Sequence, residues 1–145
     1  MRIMGMDFGS VTVGVAISDP LELTAQGIET IRYVEHKKNL LFERLQELIK
    51  QYEVDSIVVG LPMDLVGTET ARAQASRGFA KSTRRKFHLP VDMWDERLTT
   101  AAAERILIDA DLSRKKRKKV IDKEAAVLIL QSYLDKKRME KKRDE

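Results

Sequence analysis

The stretch IMGMDFGSVTVGVAIS, residues 3–18, decides the fold. From Met1 to Phe8 every residue except Arg2 and Asp7 is apolar or glycine, as in a strand buried on both faces. Gly9-Ser10-Val11-Thr12 is turn material, and Val13 to Ser18 (VGVAIS) is a β-branched, apolar partner strand. Asp19-Pro20 punctuates its end. Gln26 to Val34 alternates loosely around Ile28, Ile31 and Tyr33, which predicts a third strand. Three sequential strands joined by short turns predict an antiparallel meander.

Downstream the period changes. Leu41, Leu45, Leu48, Ile49 and Tyr52 share one face of a helix. Val54 to Gly60 is a short fourth strand halted by Pro62. Glu69 to Lys86, rich in Ala, Arg and Gln, predicts a weakly amphipathic second helix. Val91 to Glu96 predicts a fifth strand behind Pro90, and Thr99 to Asp109 a third helix with Thr99 or Thr100 as its N-cap. A last helix is expected from about Ile121 to Arg138, after the basic run Arg114 to Lys119. The order βββαβαβα, followed by one more helix, predicts an α/β domain. It comprises a mixed five-stranded sheet flanked by helices over residues 1–138, with 139–145 as a charged C-terminal tail.

A chain of 145 residues can bury a sufficient core without staples. It contains no cysteine, which excludes disulfides and thiolate metal sites and fits a reducing compartment. Asp7 interrupts the N-terminal apolar stretch before a signal-peptide core could form, and no apolar run approaches the roughly 20 residues of a membrane span. A cytoplasmic protein with no membrane partner is expected. Residues 113–145 hold 13 Lys/Arg against 6 Asp/Glu, whereas the other 112 hold 14 against 17. Basic charge gathered at one end suits a polyanionic partner, or equally a solvated, frayed helix.

Three carboxylates stand out. Asp7 lies in an apolar strand, where an ionised group costs several kcal/mol, to order of magnitude, unless it is paired or bound to a cation. The alternative is a strand-end aspartate capping its own turn. Asp95 and Glu96, in WDERLTT at 94–100, end a strand, and alternation sends them to opposite faces. Arg97 could pair with either and make the cluster structural. Asp122 shares a helix stripe with Ala126, Ile129 and Tyr133, but its first-turn position also suits a capping role. Carboxylates from separate elements supply the hard oxygen ligands that Mg2+ requires, and paired divalent ions serve phosphodiester hydrolysis. His36 and His88 have no nucleophile motif nearby and are expected at the surface. The loop from Gly60 to Glu69 opens toward a helix N-terminus that can receive phosphate, or is simply a tight turn.

Four ordered segments resemble the YqgF/RuvX family of Holliday-junction resolvases, now regarded as nucleases of pre-16S rRNA processing. They are GMDFGSVTVGVAISD at 5–19, VVGLPMDLVGTE at 58–69, WDERLTTAAAE at 94–104 and KKVIDKEAAVLILQSYLD at 118–135. The resemblance implies a ribonuclease-H-like fold and a nuclease dependent on Mg2+ or Mn2+. It implies Asp7, Glu96 and Asp122 as catalytic and metal-binding residues. It also places Arg97 beside the site, to contact phosphate or orient Glu96. Thr99, Lys115, Lys116 and Arg117 are the further expected substrate contacts. The expected partner is structured nucleic acid, pre-rRNA or branched DNA, also within ribosomal precursor particles, bound by a monomer or homodimer. Two departures touch the phosphate-binding loops: Val11-Thr12 stand where the family usually has Lys-Arg, and Asp64-Leu65 where Asn-Met is common. A non-catalytic ribosome-assembly binder and an ATPase-like domain, whose first phosphate loop Asp7-Phe8-Gly9-Ser10 resembles, are the competing classes.

Overall fold

The computed structural model describes residues 1–64, 66–98 and 114–143, with side chains in the last segment described from residue 125 onward. The elements are β1 (Arg2–Phe8), β2 (Thr12–Ser18), β3 (Ala25–Arg32), α1 (Asn39–Tyr52), β4 (Val54–Leu61), α2 (Ala71–Phe87), β5 (Val91–Asp95) and α3 (Arg114–Arg143). A 3-10 turn, Glu96–Leu98, follows β5 directly. The strands form one sheet in the order β3-β2-β1-β4-β5. β1, β2 and β3 pair antiparallel as the predicted meander, while β4 and β5 join parallel to β1.

The alternation of β1 divides the core into two layers. Met4, Met6 and Phe8 pack with Leu41, Phe42, Leu45 and Leu48 of α1 and with Phe79 and Ala80 of α2. Ile3 points the other way, into a layer with Val58 and Trp94 and with Ala126, Ile129, Leu130 and Leu134 of α3. Those four α3 residues recur at helical spacing, so one stripe of the helix lies on the sheet. Gly5 permits this contact: a Cβ there would lie 2.7 Å from the Leu130 Cβ and 3.3 Å from the Ala126 carbonyl oxygen. Gln131 ties the same helix to the meander, accepting from the Ala25 N–H at 2.9 Å and donating to the Leu23 carbonyl at 3.0 Å.

The predicted mixed five-stranded sheet, covered on both faces, is the observed one. Most boundaries differ by one or two residues, and α3 differs by more. α3 starts at Arg114 rather than Ile121 and ends at Arg143 rather than Arg138, because Lys and Arg are good helix formers and no Gly or Pro breaks the run. Residues 139–143 of the expected tail thus continue the helix. The fifth strand stops at Asp95 rather than Glu96. The helix expected over Thr99 to Asp109 lies outside the described residues.

Candidate active site

Asp7 belongs to the Ile3, Gly5, Asp7 side of β1, which faces α3. The parallel register sets Met6 against Val59, so Gly60 is the β4 residue beside Asp7. Gly60 itself pairs with Trp94 of β5, two residues before Glu96. A Cβ on Gly60 would meet the Ile129 Cδ1 at 2.5 Å and the Glu96 Cδ at 3.1 Å. The bare backbone of Gly60 therefore makes the floor on which Glu96 lies. Asp7 and Glu96, both half-buried, meet over it at the carboxyl ends of β1 and β5. Ligands gather at this end of parallel strands.

Burial pushes the Glu96 carboxyl up to about 7, and the negative charges of Asp7 and Asp95 add to the rise while Arg72 opposes it. Two carboxylates that repel each other over bare backbone fit a cation: oxygen donors, negative charge and no bulky side chain between them. Among the described residues no group of three or more His, Cys, Asp or Glu forms a metal cluster, so these two carboxylates are the core of the candidate site.

The shift has a stability consequence for the metal-free protein. The unfolded chain releases the Glu96 proton near the ordinary 4.5, whereas the folded chain keeps it to about 7. Between those values the native state binds more protons, so stability falls as pH rises from 4.5 through 7. The loss is on the order of 2 kcal/mol after allowance for partial exposure. Urea denaturation at pH 5 and pH 8 in a chelator should show it, and Glu96→Gln should flatten it. An unchanged slope in that variant would assign the effect elsewhere.

Asp95 does not share the position of Glu96. Its carboxylate accepts from the Arg97 side chain, Nε at 3.0 Å and Nη2 at 2.6 Å, and from the Arg97 backbone N–H at 2.9 Å. The Arg97 hydrogen bonds hold the Asp95 carboxyl below the usual carboxylate range. The guanidinium also lies against Gly67, whose Cβ position is 3.1 Å from Nη1 and whose φ is +82°. Arg97 is thus paired with Asp95, the structural option that the sequence left open, and braces the loop before α2. Asp64 organises that loop, accepting from the Thr68 N–H at 2.8 Å and the Val66 N–H at 3.2 Å. The departure at position 64 therefore has a structural role, while Leu65 lies outside the described residues. The Ala73 N–H at the start of α2 is already taken by the Thr70 hydroxyl at 3.2 Å.

Asp122 falls in the helical backbone of α3, four residues before Ala126. Its side chain, and those of Lys115, Lys116 and Arg117, lie outside the described residues, as does Thr99. Val11 is exposed at the β1–β2 turn, and its carbonyl accepts from the Tyr33 N–H at 2.9 Å. His36 and His88 are exposed, as expected. Sequence inspection did not single out Gly60 as a floor or Arg72 as a cation beside Glu96. The glycine follows an apolar strand and the arginine is one of several in its helix, so neither has a local signal.

The chain matches the family model described as "RuvX: Holliday junction resolvase" over residues 1–136. A relative from Listeria monocytogenes serovar 1/2a (strain ATCC BAA-679 / EGD-e) is 60% identical over 135 residues, 93% of this chain and 98% of the relative. One from Geobacillus sp. (strain WCH70) is 60% identical over 137 residues, 94% and 99% of the two chains. Both are provisionally named pre-16S rRNA nucleases. Among solved structures, Thermus thermophilus RuvC in complex with a Holliday junction substrate superposes with a TM-score of 0.59. It covers 95% of this chain and 96% of RuvC at 15% identity, a likeness of fold alone. That fold is the ribonuclease-H-like one expected from the sequence. With its family model spanning nearly the whole length and relatives at 60% identity, the chain belongs to the RuvX family.

Proposed function

We propose that this protein is a nuclease dependent on Mg2+ or Mn2+ that hydrolyses phosphodiester bonds in 5′-end processing of pre-16S rRNA in the cytoplasm. The observation that carries this is the meeting of Asp7 and Glu96 over the bare backbone of Gly60. The names of the 60%-identical relatives supply the substrate. Asp7 and Glu96 would hold the metal, with Asp122 of α3 as the third ligand implied by family resemblance. Bound there, the metal supplies Lewis-acid stabilisation of charge on the phosphate oxygens and a more acidic attacking water.

The chain's own groups do the rest. Gly60 leaves room beside the carboxylates, and Ile129 walls one side of that room with apolar surface. Arg97, held by Asp95 and set against Gly67, presents a cation at the rim where a phosphate flanking the scissile bond would lie. Thr99, Lys115, Lys116 and Arg117 are further substrate contacts in this proposal. Among the described residues no helix is long and apolar enough to cross a membrane.

The family model's description favours one second substrate, a four-way DNA junction. Precursor 16S rRNA and such a junction should therefore be incubated with the protein in Mg2+ and in chelator. Shortening of the rRNA 5′ end in Mg2+ only is expected. Cleavage of the junction alone would move the protein to resolution of branched DNA, and binding without turnover of either would make it a non-catalytic binder.

A further inference from the structure

We propose that the outward face of α2, led by Lys81 and Arg85, is a docking track for the sugar-phosphate backbone of a nucleic-acid duplex. The inference deepens the nuclease reading and rests on it for the identity of the polyanion.

α2 carries six Lys/Arg and no Asp or Glu. The acidic balance of residues 1–112 conceals this, because these six are among only 14 cations set against 17 acids there. All six are exposed. The buried residues Ala73, Ser76, Phe79, Ala80 and Thr83 turn one side of the helix to the core. Arg77, Lys81 and Arg85, spaced by four, form a ridge on the side away from it. Arg77 is ion-paired with Glu69 just ahead of the helix, which leaves Lys81 and Arg85, about 6 Å apart along the axis, to meet successive phosphates. Arg84 and Lys86 are directed elsewhere: Arg84 donates to the Val91 carbonyl at 2.6 Å, and Lys86 lies 5.0 Å from the Phe42 ring centre.

Two further features point to a duplex backbone. Gly78 sits beside the ridge in the middle of α2, where glycine costs about 1 kcal/mol relative to alanine. Nothing lies within 4 Å of its Cβ position, so packing does not require it. Bare backbone there lets a strand approach closely. The two aromatic residues of α2, Phe79 and Phe87, pack toward the core rather than outward. Single-strand sites stack bases on exposed aromatics; a ridge of cations alone grips phosphates without reading bases. α2 begins just after the loop braced by Arg97.

The test is binding of an RNA hairpin with a 20-base-pair stem, in chelator so that nothing is cleaved, across a salt series. Lys81→Gln combined with Arg85→Gln should raise Kd roughly 10- to 100-fold at low salt and reduce the salt slope by about 2. Lys37→Gln combined with Lys50→Gln, the same charge change on exposed residues elsewhere, should leave both nearly unchanged. Wild-type affinity in the α2 variant, or an equal loss in the control pair, would overturn the track. Loss of binding through an acidic peptide or anionic vesicle competing better than the RNA would overturn it as well. The nuclease reading fails separately: if RNA binds through α2 but no precursor is cut in Mg2+, the track stands without it. If wild type and the α2 variant cut precursor with equal KM, the track falls and the nuclease reading stands.

Discussion

Asp7→Asn should abolish metal-dependent cleavage while leaving the fold intact. The substitution is nearly isosteric, so the β1 register with β2 and β4 is kept. What it removes is one full negative charge from the pair that meets over Gly60. Loss of one carboxylate ligand is expected to cost about 3–4 kcal/mol of transition-state stabilisation, roughly a 100- to 1000-fold fall in kcat. A second readout separates a lost ligand from a damaged fold. The Asp7 charge contributes to the raised titration of Glu96, so in the metal-free variant Glu96 should titrate closer to the ordinary carboxylate range. Carboxyl NMR against pH measures this directly. Cleavage at the wild-type rate, or a Glu96 titration unchanged by the substitution, would remove Asp7 from the site.

Gly5→Ala should destabilise the protein by about 1–3 kcal/mol, lowering the melting midpoint by roughly 5–10 °C. The new methyl would lie 2.7 Å from the Leu130 Cβ, near the root of that side chain, and 3.3 Å from a helix carbonyl. Neither can swing aside as a side-chain tip can, so α3 must lift from the sheet. The entropy removed from the unfolded chain returns only about 0.4–1 kcal/mol. Gly60→Ala is the instructive contrast. Its nearest neighbour is the terminal methyl of Ile129, which can rotate, but its next neighbour is the Glu96 carboxyl. That variant should melt closer to wild type and still lose cleavage activity. Thermal denaturation followed by circular dichroism, alongside the cleavage assay, distinguishes the two. Equal melting of Gly5→Ala and wild type would show that α3 does not sit tightly on β1.

The architecture was legible because it is written in local periodicity. Met1 to Ser18 reads as two apolar runs on either side of a turn, as a buried hairpin must, and Leu41, Leu45 and Leu48 mark a helix face without reference to any other part of the chain. Boundaries were less legible. The basic run from Arg114 carries no apolar period of its own, so nothing local marks the start of α3, seven residues before the expected Ile121. The α2 cations were visible as letters but were averaged away against the acids of the surrounding strands and loops.

The sequence alone determined that the chain forms a mixed five-stranded sheet covered on both faces, and it marked Asp7 as an unusual charge in an apolar strand. Only the tertiary structure set apart the surroundings of Asp95 and Glu96, which are adjacent carboxylates in the sequence. One is bound by its neighbour Arg97, and the other lies over a glycine 36 positions earlier in the chain. Periodicity reports which face a residue takes within its own element. Which groups converge is set by the register of β1, β4 and β5 against one another, and that register depends on packing between segments far apart in sequence.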